Sequence, residues 1–224
     1  MSIHAPFLAC IFDLDGVLVD TARYHFLAWR RLANELGFDF DEHANEALKG
    51  VGRMESLEII IGWGNIAMSE EEKLLWAERK NGWYRDYVQK MDPSEILDGA
   101  MEFLQNVKGH GIRVALGSSS KNASTILNYV GLGDFFEAVV DGNRITRTKP
   151  DPQVFLLCAS DLGLDPGRCI VFEDAQTGVD AALAGGFCAV GVGSPKVLGH
   201  ARLVVPDFRG WTWPKMEQVL LRQT

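Results

Sequence analysis

Hydrophobic and polar positions divide the chain into two rhythms. Phe7, Leu8, Ala9, Cys10, Ile11 and Phe12 are apolar at every position, the pattern of a strand buried on both faces of a parallel sheet. The run ends in Asp13 and Asp15, and Gly16 then frees the backbone to turn. Beyond Asp20 the period becomes helical. Tyr24, Ala28, Leu32 and Leu36 recur every four residues with Leu27 beside them, and Gly37 stands where a helix would end. A short helix is expected over 41–49, closed by Gly50, followed by a tight loop over 50–53. A helical stretch through Leu57 and Ile61 then halts at Gly62, Trp63 and Gly64. Ser69 with Glu72 predicts a capping box opening a longer helix that carries Leu74, Leu75, Trp83 and Tyr87.

From Pro93 onward strand and helix alternate. Strands are expected at 112–116, 138–140, 169–172, 187–192 and 203–205, with helices over 100–108, 123–130, 154–162 and 178–184 between them. This predicts an α/β fold with a largely parallel sheet. Because one strand precedes the helical block and the others follow it, the block reads as an insertion. The expected division is a Rossmann-like catalytic core domain of 1–20 and 93–224 and an inserted α-helical cap domain of 21–92, joined by two linkers that make a hinge.

Composition narrows the partners. With 224 residues and 47% hydrophobic content the chain can bury a full core. A net charge of −8 argues against nucleic acid or an anionic membrane, either of which demands a basic surface. The opening MSIHAPF lacks a basic, apolar leader, and no run reaches the roughly 20 apolar residues of a membrane span. A cytoplasmic, monomeric protein is expected. Cys10, Cys158, Cys169 and Cys188 show no C-x-x-C spacing, so neither disulfide nor zinc is expected.

The ends of the predicted strands carry the chemistry. Asp13 and Asp15 repel unless a cation or a shared proton intervenes, so they suit a hard metal ion or a carboxyl held as an acid, unless they merely cap the next helix. Gly117, Ser118, Ser119, Ser120, Lys121 and Asn122 form a small-residue loop before a helix, either an anion cradle or an N-cap turn. Lys149 precedes Pro150, which restrains its backbone, and reads alone as solvated charge or as a charge neutraliser. Glu173 and Asp174 could ligate a metal or favour the N-terminus of the following helix. Taken in order, these groups supply nucleophile, phosphate cradle, charge neutraliser and Mg²⁺ site.

In this order the sequence resembles the haloacid dehalogenase superfamily, whose four motifs match Asp13-Leu14-Asp15-Gly16, Ser118, Lys149 and Glu173-Asp174. The stretches DLDGVLVDTARYHFLAW, LKGVGRMESL, AERKN, GSSSKN, KPDPQVF and EDAQTGVDA extend the likeness across nearly the whole chain to the β-phosphoglucomutase family within it. That resemblance implies an Mg²⁺-dependent phosphomutase acting on sugar phosphates, interconverting β-D-glucose 1-phosphate and D-glucose 6-phosphate through glucose 1,6-bisphosphate. A sugar-phosphate phosphatase is the alternative, and a non-catalytic phosphosugar-binding regulator a remote one. It makes Asp13 the phosphorylated nucleophile and Asp15 the general acid and base, with Mg²⁺ held by Asp13, the Asp15 carbonyl and Asp174 beside Glu173. Ser118, the Ser119 backbone and Lys149 would bind the transferring phosphoryl group. Arg53, Ser120, Lys121 and Asn122 would clamp the distal phosphate. Gly50 and Val51 would lie in the loop that aims Arg53, His25, Trp29 and Lys80 near the sugar, and Thr21 at the hinge. Departures from the family pattern are Gly52 for serine, which is expected to loosen the loop before Arg53, Gly117 for alanine, and Val19 for threonine.

Overall fold

The computed structural model describes residues 7–48 and 51–222, so Gly50 lies outside the described residues. Strand β1 (Ala9–Phe12) leads into four helices, α1 (Ala22–Glu35), α2 (Glu42–Asn45), α3 (Arg53–Trp63) and α4 (Glu70–Val88). An alternating series follows: α5 (Ala100–Gly109), β2 (Arg113–Gly117), α6 (Ala123–Tyr129), β3 (Ala138–Val140), α7 (Gln153–Asp161), β4 (Cys169–Glu173), α8 (Gln176–Ala184), β5 (Cys188–Val192), α9 (Pro195–Leu198), β6 (Leu203–Val205) and α10 (Trp213–Arg222). All strand pairings are parallel, in the order β3-β2-β1-β4-β5-β6. Such a sheet offers its ligand crevice outside the carboxyl ends of the strands where the order reverses, here beside β1.

The continuous apolar runs follow from cover on both faces. Cys10, Phe12, Val114, Leu116, Ile170 and Phe172 pack into the layer that holds α5 and α10. Ala9, Ile11, Ala115, Cys169 and Val171 face the opposite layer, with α7 and α8. Phe12 and Phe172 stack with centroids 4.7 Å apart, and Phe103 and Phe208 meet them edge-on. The same register aligns the polar strand ends. Phe12 lies opposite Leu116 and Phe172, and the Asp13 amide donates to the Phe172 carbonyl at 3.0 Å. Asp13, Ser118 and Glu173 therefore leave the sheet at one edge.

Helices α1, α3 and α4 pack on one another. The capping box forms as expected: the Ser69 amide donates to the Glu72 carboxylate at 2.8 Å, and the Glu72 amide to Ser69 Oγ at 3.3 Å. Two faces differ from the sequence expectation. Leu27 is 46% exposed, because the buried stripe of α1 runs through Phe26, Trp29 and Ala33 with Ala28 and Leu32. Leu74 and Leu75 are 61% and 68% exposed, because α4 turns Ala77, Lys80, Asn81 and Tyr84 inward instead. Burying a lysine and an asparagine on a helix face breaks the apolar period that sequence reading follows. Arg53 opens α3 and does not lie in the preceding loop, and α10 was not expected, although Trp213, Met216 and Leu220 are buried on one face.

Phe172→Ala removes one ring of the central stack and should lower the unfolding free energy by about 3–5 kcal/mol, the usual cost of truncating a buried phenylalanine. Urea titration measures it, and a loss below 1 kcal/mol would mean that the stack does not anchor the sheet.

Candidate active site

Residues that follow β1, β2 and β3, the end of β4 and the four helices after β1 surround a cavity of about 620 Å³. At its floor the Lys149 ammonium lies 2.5 Å from Asp13 Oδ1 and also contacts Glu173, all three side chains being nearly solvent-free. The second Asp13 oxygen accepts the Asp15 amide at 3.0 Å, and the second Glu173 oxygen accepts the Ala175 amide at 2.8 Å. Burial pushes the Asp13 carboxyl up and Lys149 opposes it. Burial alone would lower the lysine, but Asp13 and Glu173 outweigh it and hold Lys149 above its ordinary range. Its Nζ lies over the Phe155 ring, 4.8 Å from the centroid.

Asp13, Glu173 and Asp174 each offer a carboxylate oxygen, and these lie within 4.8 Å of one another. Gly16 has a left-handed backbone (φ +78°), and a Cβ there would collide with the Asp174 carboxylate. A Cβ at Gly178 would likewise strike Glu173. The two glycines thus leave room for a cluster of hard oxygen donors, which fits a divalent cation of the Mg²⁺ type.

Asp15 faces the helices. Thr21, fully buried at the start of α1, donates its hydroxyl to Asp15 Oδ1. Burial raises the Asp15 carboxyl, and the Thr21 hydrogen bond acts against that. Lys80, 3% exposed, sits 3.1 Å from His25 Nδ1 and over the Trp29 ring at 4.1 Å. Burial and the nearby Arg53 lower the lysine, and burial, Lys80 and Arg53 lower the histidine.

Arg53 and the loop over 118–122 meet at Asn81. Arg53 Nη2 donates to Asn81 Oδ1 at 2.8 Å, and the Asn122 side-chain amide donates to the same oxygen at 3.1 Å. The small-residue loop is folded on itself, the Ser120 amide donating to Ser118 Oγ at 3.0 Å and the Asn122 amide to Ser120 Oγ at 3.2 Å. A turn after β3 braces it. The Gly142 amide donates to the Ser120 carbonyl at 3.0 Å, and the Asn143 side chain to the Lys121 carbonyl at 3.0 Å, while Asp141 accepts from Asn143. Gly52 does not simply slacken the chain before Arg53. A Cβ there would lie 3.1 Å from Thr148 Cγ2, so glycine permits close approach to the loop of Lys149. Gly117 is similarly crowded, by Phe155 at 3.0 Å and Cys158 Sγ at 3.1 Å.

Every site residue singled out in the sequence, Gly50 apart, lines this cavity: Asp13, Asp15, Thr21, His25, Trp29, Val51, Arg53, Lys80, Ser118, Ser119, Ser120, Lys121, Asn122, Lys149, Glu173 and Asp174. Asn45, Glu78, Asn81 and Thr148 also line it and were not foreseen. Asn45 Oδ1 and Ser119 Oγ are buried in its wall without a hydrogen-bond partner, as befits a site that completes its bonding with a ligand. Among the described residues no helix is long and apolar enough to cross a membrane.

The half-buried His25 gives a pH signature. Its folded pKa lies below the unfolded value of about 6.5, so below that pH the unfolded chain binds a proton that the folded one refuses. Stability should fall with a slope increment of up to about 1.4 kcal/mol per pH unit as pH drops below 6.5. Urea titrations from pH 7.5 to 5.5 should show a shallower decline for His25→Gln, and equal slopes would refute a neutral imidazole at this position.

Comparison with known proteins places these residues in a family context. β-Phosphoglucomutase of Bacillus subtilis (strain 168) is 42% identical over 199 residues, 88% of either chain. Fructose-1-phosphate phosphatase of Escherichia coli (strain K12) is 33% identical over 193 residues, covering 85% of this chain and 98% of the relative. A crystal structure of β-phosphoglucomutase from Clostridium difficile matches with a TM-score of 0.92 at 40% identity, covering 96% of this chain and 98% of that one. The haloacid dehalogenase-like hydrolase family matches residues 7–186, from β1 through α8. The chain therefore belongs to the haloacid dehalogenase-like hydrolase family and is an enzyme of it.

Proposed function

We propose that the enzyme is a phosphomutase interconverting β-D-glucose 1-phosphate and D-glucose 6-phosphate, with 21–92 acting as a cap over a core of 1–20 and 93–224. What supports this reading is one cavity that gathers two sets of candidate anion-binding groups: Lys149 and Ser118 beside Asp13, and Arg53 with Asn122 joined through Asn81. A substrate that presents a phosphate at either end of one sugar needs both. The likeness to the Bacillus subtilis mutase points the same way.

In this reading phosphorylated Asp13 passes its phosphoryl group to the C6 hydroxyl of glucose 1-phosphate. The Asp13–phosphorus bond breaks while Asp15 takes the hydroxyl proton, leaving glucose 1,6-bisphosphate. The bisphosphate turns end for end. The Asp13 carboxylate attacks the phosphorus at C1, and Asp15 returns its proton to the departing sugar oxygen, giving glucose 6-phosphate. Lys149 and the loop amides stabilise charge on the phosphoryl oxygens in flight. Mg²⁺, held by Asp13, the Asp15 carbonyl and Asp174 beside Glu173, would supply further positive charge there when bound. Arg53 grips the distal phosphate, and its binding energy favours a site closed to water. A mutase needs that exclusion, whereas a phosphatase admits water.

The reading is tested by supplying β-glucose 1-phosphate, Mg²⁺ and a trace of glucose 1,6-bisphosphate and following glucose 6-phosphate and free phosphate together. Isomerisation should exceed hydrolysis. Phosphate release outrunning isomerisation at every concentration would favour the sugar-phosphate phosphatase, the activity of the Escherichia coli relative's class. Asp13→Asn should abolish turnover and the phosphoenzyme. Arg53→Ala should cut kcat/KM for isomerisation about 100-fold more than for acetyl phosphate hydrolysis, a difference of about 2.7 kcal/mol. Equal losses would misplace its role.

A further inference from the structure

We infer that Asn81 is a positioning residue that sets the distal-phosphate grip by holding Arg53 and Asn122 on one uncharged oxygen and limiting the pull of Glu78 on Arg53. The inference rests on the mutase reading of the cavity. Asn81 is 7% exposed in the middle of α4, where an amide needs a reason to be buried. Its Oδ1 accepts from Arg53 Nη2 at the start of α3 and from Asn122 Nδ2 at the turn before α6. It therefore joins three elements far apart in sequence, and fixes two cavity-lining side chains relative to each other.

The nature of the acceptor matters as much as its place. A neutral carbonyl orients a guanidinium without cancelling its charge, so the remaining Arg53 donors and the full positive charge stay available to an anion. A carboxylate in the same spot would satisfy the same hydrogen bonds and neutralise the grip. Such a carboxylate stands nearby. Glu78, three residues before Asn81 on α4, places Oε2 3.5 Å from Arg53 Nη1, at the outer limit of a hydrogen bond. It is 62% exposed in its side chain and is shared with Arg85 at 3.5 Å, so its present hold on Arg53 is weak. Removing the Asn81 oxygen leaves Glu78 as the nearest acceptor and draws the guanidinium out towards it. Asn81 thus decides whether the cap arginine addresses the substrate or its own helix neighbour.

The test compares Asn81→Ala, Asn81→Asp and the double variant Asn81→Ala/Glu78→Gln with wild type, after urea titration shows which are folded. Isomerisation of β-glucose 1-phosphate reads the two-phosphate grip, and hydrolysis of acetyl phosphate, which has no distal phosphate, reads the Asp13 end alone. Asn81→Ala should raise KM for β-glucose 1-phosphate about tenfold more than KM for acetyl phosphate. Adding Glu78→Gln should recover at least threefold of that loss. The near-isosteric Asn81→Asp should lose more than the alanine variant despite keeping both hydrogen bonds, and it carries the test if the alanine variants do not fold. Equal KM changes for both substrates, no rescue by Glu78→Gln, or an aspartate variant as good as wild type would each overturn the inference. If wild type proves to be a phosphatase, hydrolysis of glucose 1,6-bisphosphate against acetyl phosphate in the same variants still reads the grip, so failure of the mutase reading and failure of the Asn81 role remain separate.

Discussion

The site depends on Lys149 lying between two buried carboxylates. Asp13 directly follows β1 and Glu173 ends β4, and the parallel register brings them to the same edge of the sheet. Withdrawing ionisable groups from water costs several kcal/mol even in a relaxed protein interior, so this trio is buried together only because each member has partners in good geometry. The sheet supplies the alignment, Phe155 supports the lysine, and Gly178 leaves the space in which Glu173 can turn towards it. The neighbouring Asp174 then adds an oxygen beside Asp13 and Glu173, made possible by the missing side chain at Gly16.

The helices after β1 accept a different compromise. A helix that only needed to pack would bury leucines, and α4 has two to offer in Leu74 and Leu75. It leaves them in water and buries Lys80 and Asn81. The lysine is compensated by His25 and by the faces of Trp29 and Tyr84, the asparagine by Arg53 and Asn122. Stability is given up on that face in return for polar groups pointing into the cavity.

These two regions explain how much of the protein was legible in its sequence. The sheet was readable because runs such as 169–172 are apolar throughout and stop abruptly at acids, and strand β3 was placed to the residue. The order of polar groups at the strand ends identified the floor of the site for the same reason. Legibility fell on the helices, where polar residues normally face solvent. Asn81 and Asn45 carry no spacing that separates them from surface amides, and Leu27 and Leu74 match an apolar period without being buried. Gly52 was read as a source of slackness, because a sequence gives no hint that Thr148 stands 3.1 Å from where its Cβ would be. Contacts between distant loops leave no local trace.

The turn after β3 bears on how the neighbouring loop over 118–122 is held. Gly142 and Asn143 hydrogen-bond to the carbonyls of Ser120 and Lys121, and a Cβ at Gly142 would strike the Ser119 carbonyl. With Ser118 and Ser120 binding amides further along, the loop over 118–122 is templated from both sides by the folded chain. Its conformational entropy is surrendered during folding, so under the proposed function an arriving phosphate would meet donors already fixed in place and keep more of its interaction energy as affinity. The turn that follows the edge strand β3, far from Asp13 in sequence, thereby acts as a mould for the loop's shape.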